Sequence, residues 1–184
     1  MDEEMKSRVV KVARKSDRIL VVELIFEEKV LNVISAYVLQ VGCDEIYKEV
    51  FWREMDEVMQ GVPGNMDVVI GGDMNGHVGN EWKGNERVHG GYGFSENNEA
   101  GERILDFAVS YDLAVVSTYF RKREEHYIIY KSGNNRSQID YLMWKSESVK
   151  RVKNCKVILG ESVTTQHRLM VMEFWCTEIR IYKN

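Results

Sequence analysis

The chain has 184 residues, of which 44% are hydrophobic and 29% are charged, and its net charge at neutral pH is −4. This composition excludes a disordered chain and a uniformly basic nucleic-acid binder, and the length favours one domain, which we take to span residues 1–184. Three scattered cysteines, an acidic N-terminus and no apolar run near the roughly 20 residues that cross a bilayer predict a reduced nuclear or cytoplasmic protein without membrane association.

The first predicted elements are two strands, at Arg18–Phe26 and Val30–Val38, joined by a short charged turn. A helix is predicted over Cys43–Met59, because apolar residues recur there at spacings of three and four. The compact apolar run Met66–Ile70 is typical of a buried central strand, and it ends at two glycines.

A glycine-rich loop is predicted over Asn75–Asn97, and long loops of this kind are usually functional. Because glycine lowers the cost of disorder and the loop has few apolar residues, we expect it to be mobile. A helix follows, with Ile104, Leu105, Ala108 and Val109 on one face. Five further strands are predicted: Leu113–Thr118, His126–Ser132, Gln138–Lys145, Val152–Leu159 and Leu169–Trp175.

The segment Val68–Asn75 carries the strongest functional signal, because a buried strand brings Asp73 and, two residues later, Asn75 to its carboxyl end. Ligand sites of α/β folds lie at such strand ends. If the chain stays extended, both side chains lie on one side and can address one phosphate or one attacking water. Gly-Gly-Asp and Asn-Gly also form ordinary turns, so both interpretations stay open.

Three other polar residues lie at or near predicted strand ends. Tyr37 ends the second strand, where its hydroxyl can reach a phosphate oxygen. Asp140 interrupts an apolar strand, and a buried carboxylate is costly without a partner such as His167. We predict that five side chains converge on one cleft: Tyr37, Asp73, Asn75, Asp140 and His167.

The charge is distributed unevenly along the chain. Between Arg121 and Lys156, ten basic and four acidic residues give a local charge of +6, which leaves −10 for the rest. A basic face on an acidic protein can meet phosphates, although such a run is also typical of solvated surface.

The ordered motifs Ser35–Tyr37, Gly72–Asn75, Gln138–Tyr141 and His167 before a strand resemble the endonuclease/exonuclease/phosphatase superfamily. The resemblance covers about Arg18–Phe174. It is closest to the endonuclease domains of RTE-type LINE retrotransposons and to genes labelled craniofacial development protein 2-like. It implies an α/β fold, namely a four-layered two-sheet sandwich with outer helices, like that of deoxyribonuclease I.

The resemblance also implies hydrolysis of DNA phosphodiesters with Mg²⁺ or Mn²⁺. In the family's scheme Asp73 orients or deprotonates the attacking water, and Asn75 holds that water or a phosphate oxygen. His167, paired with Asp140, stabilises charge on phosphorus, and Tyr37 binds the phosphate or the leaving oxygen. The metal ligands implied in this chain are Asp73 and Gln166.

Two departures from the family's pattern bear on activity. The family opens with a strand that carries an asparagine and a segment that carries the principal metal-ligand glutamate, and neither has a counterpart before Arg18. Gln166 stands where an aspartate is common, so it keeps an oxygen but has no charge. We therefore expect one sheet to lack its N-terminal strands, weak binding of Mg²⁺, and slow or absent cleavage.

Three functions stay open at this point. The first is a retrotransposon-derived nuclease. The second is a catalytically silent domain that binds DNA or a protein partner. The third is a phosphatase acting on a small phosphoester, although the basic stretch favours nucleic acid.

Overall fold

The part of the chain that the structure describes forms ten strands and three α-helices. The structure, a computed structural model, describes residues 3–26, 29–40, 42–162 and 164–175. The elements in chain order are α1 (Glu3–Ser7), β1 (Val9–Arg14), β2 (Ile19–Phe26), β3 (Lys29–Tyr37), α2 (Glu45–Gly61), β4 (Asp67–Asp73), α3 (Glu99–Ser110), β5 (Leu113–Val115), β6 (Tyr130–Ser132), β7 (Asn135–Ser137), β8 (Asp140–Lys145), β9 (Val152–Ser162) and β10 (Arg168–Phe174). None of the helices in these ranges is long and apolar enough to cross a membrane.

Six strands form one mixed sheet in the order β1-β2-β3-β4-β8-β5. β3 and β4 are parallel, and the crossover between them contains α2, whereas all the other neighbours are antiparallel. β4 lies at the centre of the sheet, so Val68, Val69 and Ile70 are buried, as the apolar run predicted. β9 pairs with β10, and β6 with β7, in two small antiparallel sheets.

The two faces of the large sheet have different partners. One face packs against α2 and α3, through residues such as Phe51 and Met55 of α2 and Ile104 of α3. The opposite face packs against the β9–β10 sheet, where Val69 and Trp144 meet Cys155. The described residues thus form three layers, which are helices, a large sheet and a small sheet. The two sheets with helices outside agree with the prediction, but the described residues show no fourth layer of α-helices on the small sheet.

Both long helices begin at side chains that cap their first turn. Asp44 accepts a hydrogen bond from the backbone N–H of Ile46 at the start of α2. At the start of α3, Asn98 Oδ1 accepts from the N–H of Gly101 and also from the N–H of His77. Asn98 therefore ties the loop that follows β4 to the α3 helix.

Several predicted boundaries were wrong. The strand β1 was missed; it is an edge strand on which Val10 and Val12 are exposed. The strand predicted over 113–118 ends at Val115 and continues as a 3-10 helix, Val116–Tyr119. The strand predicted over 126–132 begins only at Tyr130. These segments are apolar in sequence, but their hydrogen bonds are set by tertiary contacts.

The loop between β4 and α3 is packed, contrary to the expectation that it holds few apolar contacts. Val78, Val88 and His89 within it are fully buried. The Nδ1 atom of His89 accepts from the N–H of Gly91 at 3.0 Å, and its Nε2 lies 3.3 Å from Gly79 O. Burial lowers the pKa of His89, which fits a neutral ring that donates from Nε2. We use the name glycine-rich loop for residues 75–97.

Candidate active site

Three strand ends bring Tyr37, Asp73 and Asp140 side by side. In the register of the large sheet, Tyr37 of β3 is opposite Asp73 of β4, and Asp73 is opposite Asp140 of β8. Residues opposite one another on neighbouring strands point to the same face. Val69, which shares the face of Asp73 through the alternation of the strand, packs towards the small sheet. The two carboxylates therefore face the space between the sheets, at its end.

His167 reaches the carboxylates from the small sheet. It directly precedes β10 and forms an isolated β-bridge with Tyr130, whose ring lies edge-on to the imidazole at 5.1 Å. The Nδ1 atom hydrogen-bonds Asp140 Oδ2 at 3.3 Å, and Nε2 lies 3.8 Å from Asp73 Oδ2. The predicted pairing of His167 with Asp140 is thus present in the geometry, and the imidazole lies between the two carboxylates.

Burial disfavours ionisation of both aspartates, and the charge of Asp73 adds to the effect at Asp140. Burial raises the pKa of Asp140 to about 6, and the negative charge of Asp73 adds to the rise, while His167 opposes it. Burial likewise raises the pKa of Asp73, and the N–H of Asn75 and the charge of His167 oppose that rise. Two carboxylates that resist ionisation in the bare protein would be stabilised by a cation between them.

The donor set fits a divalent cation. One ligand atom each from Asp73, Asp140 and His167 all lie within 4.8 Å of one another. Asp140 Oδ1 is buried and has no hydrogen-bond donor in the described structure. It lies 3.3 Å from His167 Nδ1, whose hydrogen bond is with Asp140 Oδ2. A buried carboxylate oxygen without a donor is an available ligand for a hard cation such as Mg²⁺. Asp73 and Asp140 would hold the ion.

We expect Asp140→Asn to stabilise the metal-free protein at neutral pH. Because the folded state raises the pKa of Asp140, the protonated carboxyl contributes stability that is complete below its ordinary pKa near about 4 and is lost as the pH rises through about 6. The ionised form then costs about 3 kcal/mol at neutral pH, and the neutral amide avoids that cost. Denaturant unfolding with EDTA present, at neutral pH and near about pH 4, measures the change.

The matched control for this variant is Asp106→Asn on the exposed side of α3, which should change the free energy of unfolding by less than about 0.5 kcal/mol. The gain from Asp140→Asn should shrink at the lower pH, where the wild-type carboxyl is already neutral. An equal gain at both pH values would contradict the electrostatic explanation.

Two of the remaining predicted residues occupy positions that the sequence did not specify. Tyr37 is 42% exposed, and the Arg18 guanidinium lies 5.1 Å from the centre of its ring. Asn75 has a positive φ of 47°, so the chain does not stay extended past Asp73, and the argument from extended spacing was wrong. The backbone N–H of Asn75 donates to Asp73 Oδ1, and its amide Nδ2 donates to Val38 O. Asn75 therefore orients the Asp73 carboxylate through its backbone.

Gln166, the second predicted metal ligand, lies on an exposed turn. Its side-chain amide donates to Ser132 Oγ at 3.1 Å. Its backbone carbonyl accepts a hydrogen bond from the N–H of Lys131. Both contacts connect Gln166 to strand β6. Its role as a ligand stays a prediction, since the described contacts of its side chain are with this strand.

Residues beside Asp140 have positioning roles that the motif alone did not reveal. Gln138 is buried, and its Oε1 accepts from the N–H of Phe94 while its amide donates to Ser117 Oγ. The Tyr141 hydroxyl lies 2.6 Å from Gln138 O and accepts from the N–H of Val78. The motif thus fixes both ends of the glycine-rich loop around the carboxylates. In the sequence, these roles could have been inferred from the polar residues Gln138 and Tyr141, which flank Asp140 within an otherwise apolar segment.

Comparison with known proteins supports the motif-based expectation. No family model matches the chain. Craniofacial development protein 2 of Bos taurus is 26% identical over 180 residues, which are 95% of this chain and 29% of that protein. The chain thus spans about three tenths of the length of the curated relative that it matches.

Solved structures match the fold at lower sequence identity. The endonuclease domain of TRAS1, a telomere-specific non-LTR retrotransposon, has a TM-score of 0.67 at 15% identity, over 100% of this chain and 72% of that chain. The 3′ phosphatase NExo from Neisseria, bound to a product DNA hairpin, has a TM-score of 0.62 at 14% identity, over 85% and 64%. The chain therefore has the mixed α/β fold of deoxyribonuclease I-like endonucleases, and its structural neighbours are members of the endonuclease/exonuclease/phosphatase family that its motifs resemble.

Proposed function

We propose that the protein is a retrotransposon-derived, metal-dependent hydrolase of DNA phosphodiesters. The observation that carries this proposal is the cluster of Asp73, Asp140 and His167, whose ligand atoms lie within 4.8 Å of one another. The cluster lies at one end of the space between the two sheets. The fold supports a nuclease or phosphodiesterase reaction. The structural relatives, a retrotransposon endonuclease and a phosphatase bound to a DNA hairpin, favour DNA as the substrate class.

Each residue of the cluster has a role that its contacts support. Asp73, held by the N–H of Asn75, accepts the proton of the attacking water. His167 is oriented by its Nδ1 contact with Asp140, so its Nε2, when protonated, can donate to a phosphoryl oxygen. The exposed Tyr37 hydroxyl offers a further donor beside Asp73. A divalent ion held by Asp73 and Asp140 would supply Lewis-acid stabilisation of the developing negative charge.

A catalytically silent DNA-binding domain is the second candidate. In the described part of the chain the cluster contains two carboxylates, and one of them is hydrogen-bonded to His167. Few charged ligands mean a loosely held ion, so binding of Mg²⁺ should be weak. The two candidates differ in whether the bound phosphodiester is cleaved.

Nicking of supercoiled plasmid tests the proposal. We expect relaxed circles to form slowly when Mg²⁺ or Mn²⁺ is added at millimolar concentrations, because the ion is loosely held, and EDTA to prevent their formation, because water alone is a poor nucleophile at phosphorus. His167→Asn should slow the reaction by about 100-fold, the usual effect of losing one donor to a developing oxyanion. The same variant purified in parallel controls for contaminating nucleases.

The alternatives give different results in the same assays. Salt-dependent DNA binding without nicking at any metal concentration would contradict the nuclease and support a catalytically silent DNA-binding domain. Release of phosphate from a small phosphoester, without nicking, would indicate a phosphatase.

A further inference from the structure

Two aromatic residues of the glycine-rich loop are held at the surface. Trp82 is 53% exposed and Tyr92 is 40% exposed. The N–H of Asn85 donates to Trp82 O at 2.7 Å and closes a tight turn beside the indole. A Cβ on Gly91 would lie 2.8 Å from Trp82 Cε3, so the indole packs directly on the glycine backbone. A ring that is already fixed loses little conformational freedom when another flat group stacks on it.

The backbone beneath these rings is built from buried contacts. His89 is fully buried and accepts the N–H of Gly91, which is the residue under the indole. The N–H of Tyr92 donates to Thr118 O at 3.0 Å, and the N–H of Gly90 donates to Thr118 Oγ1 at 2.9 Å. The loop is therefore anchored to the end of the large sheet at the positions that carry the aromatic side chains.

The rings lie at the same end of the sheet as the carboxylate cluster. β4 and β5 are both antiparallel to β8, so they run in the same direction. Asp73 ends β4, and Thr118, which holds Tyr92, follows the end of β5 by three residues. Phe94 in the same loop donates its N–H to Gln138, two residues before Asp140.

An exposed arginine closely follows the residue that holds Tyr92. The N–H of Tyr92 donates to Thr118 O, three residues before Arg121. The Tyr127 hydroxyl donates to Phe120 O and accepts the N–H of Lys122, so it fixes the backbone on either side of Arg121. The Arg121 side chain is exposed. Exposed aromatic rings beside cationic side chains match the two parts of a nucleic-acid strand, which are flat bases and an anionic backbone.

We propose that Trp82 and Tyr92 form a stacking site for unpaired bases of a nucleic-acid strand next to the strand's scissile phosphodiester. The proposal deepens the proposed function and rests on it. Unpaired bases are the fitting ligand because both faces of a base inside a duplex are already stacked. A phosphate of the same strand would meet the exposed Arg121.

Binding of a short, labelled single-stranded oligodeoxynucleotide, measured by fluorescence anisotropy in EDTA, tests the stacking site in the full chain. Trp82→Ala and Tyr92→Ala should each weaken binding by about 10-fold or more, and Trp82→Phe should restore most of the affinity. These variants should keep the wild-type dependence of affinity on salt, whereas Arg121→Ala should reduce its slope by about 0.7. Tyr47→Ala, which removes another exposed aromatic on α2, is the matched control and should bind like the wild type.

The outcomes separate this proposal from the nuclease itself. Wild-type binding of single strands by both alanine variants would overturn the stacking site, whether or not plasmid is nicked. An equal loss of affinity for a blunt duplex would also overturn it, because paired bases offer no free face. A protein that never nicks, but loses single-strand binding in the Trp82 and Tyr92 variants, would retain the stacking site and lose only the proposed hydrolysis.

Discussion

Asp73→Asn should reduce metal-dependent nicking by about 1000-fold or more. The substitution removes a negative charge from the cluster and replaces a proton acceptor by an amide that cannot take the proton of water. The shape is retained, and an asparagine Oδ1 can still accept the N–H of Asn75, as Asp73 does at 3.0 Å. The loss is therefore expected to be chemical, because the fold around the side chain keeps its hydrogen bond.

Initial nicking rates over a series of Mg²⁺ concentrations measure this effect. The matched control is Asp106→Asn, an exposed aspartate on α3, which should nick at the wild-type rate. Since burial raises the pKa of Asp73, the variant should also unfold at a slightly higher denaturant concentration than the wild type. A rate for Asp73→Asn within about threefold of the wild type would remove this residue from the reaction, since a positioned base is worth far more.

Gly72→Ala should destabilise the protein by about 3–5 kcal/mol or prevent folding. Gly72 lies opposite Ala36 where β3 and β4 pair, with a φ of +154°, and a Cβ there would lie 1.8 Å from Ala36 O. The obstructing atom belongs to the backbone of a neighbouring strand, so no side-chain rotation relieves the clash. The strands would have to separate at the residue before Asp73, and the carboxylate would move with them.

Denaturant unfolding of the purified variant, or its soluble yield where it does not fold, measures this loss. Gly61→Ala is the matched control, because Gly61 ends α2 and an added Cβ there would meet none of the described residues within 4 Å. Alanine favours the helix there, so the control should be neutral or more stable by up to about 1 kcal/mol. Equal unfolding midpoints for Gly72→Ala and the wild type would show that β3 yields at this point.

The sequence predicted the central strand and the pairing of Asp140 with His167 well, because each follows from the local pattern around a strand. A continuous apolar run is typical of a strand that is buried on both faces. In β4, Val68 and Ile70 pack on one face and Val69 on the other. An aspartate inside an apolar strand needs a partner, and His167 lies 3.3 Å from Asp140. The helix α2 also followed from its periodicity, with its beginning displaced by two residues to Glu45, after the capping Asp44.

Features that depend on distant parts of the chain could not be predicted. Nothing around Gly72 in the sequence indicates that Ala36 O approaches it, since 36 residues separate the two. His89 lies in the loop that was expected to be mobile, yet its ring is buried and has hydrogen-bond partners in the backbone of Gly79 and Gly91. The exposed strand β1 lacks the alternation of a half-buried strand, because both of its faces meet solvent over most of its length.

The outer position of β1 has a consequence for how the protein behaves at high concentration. The strand ends the large sheet on one side, and no described strand pairs with its outer side, where Val10 and Val12 are also exposed. An edge strand of this kind is a template onto which another polypeptide can add by main-chain hydrogen bonding. Arg14 on the strand opposes that addition by charge repulsion between copies, whereas Lys11 is ion-paired with Glu23. Salt screens this repulsion, so we expect association of copies through this edge strand to increase with ionic strength.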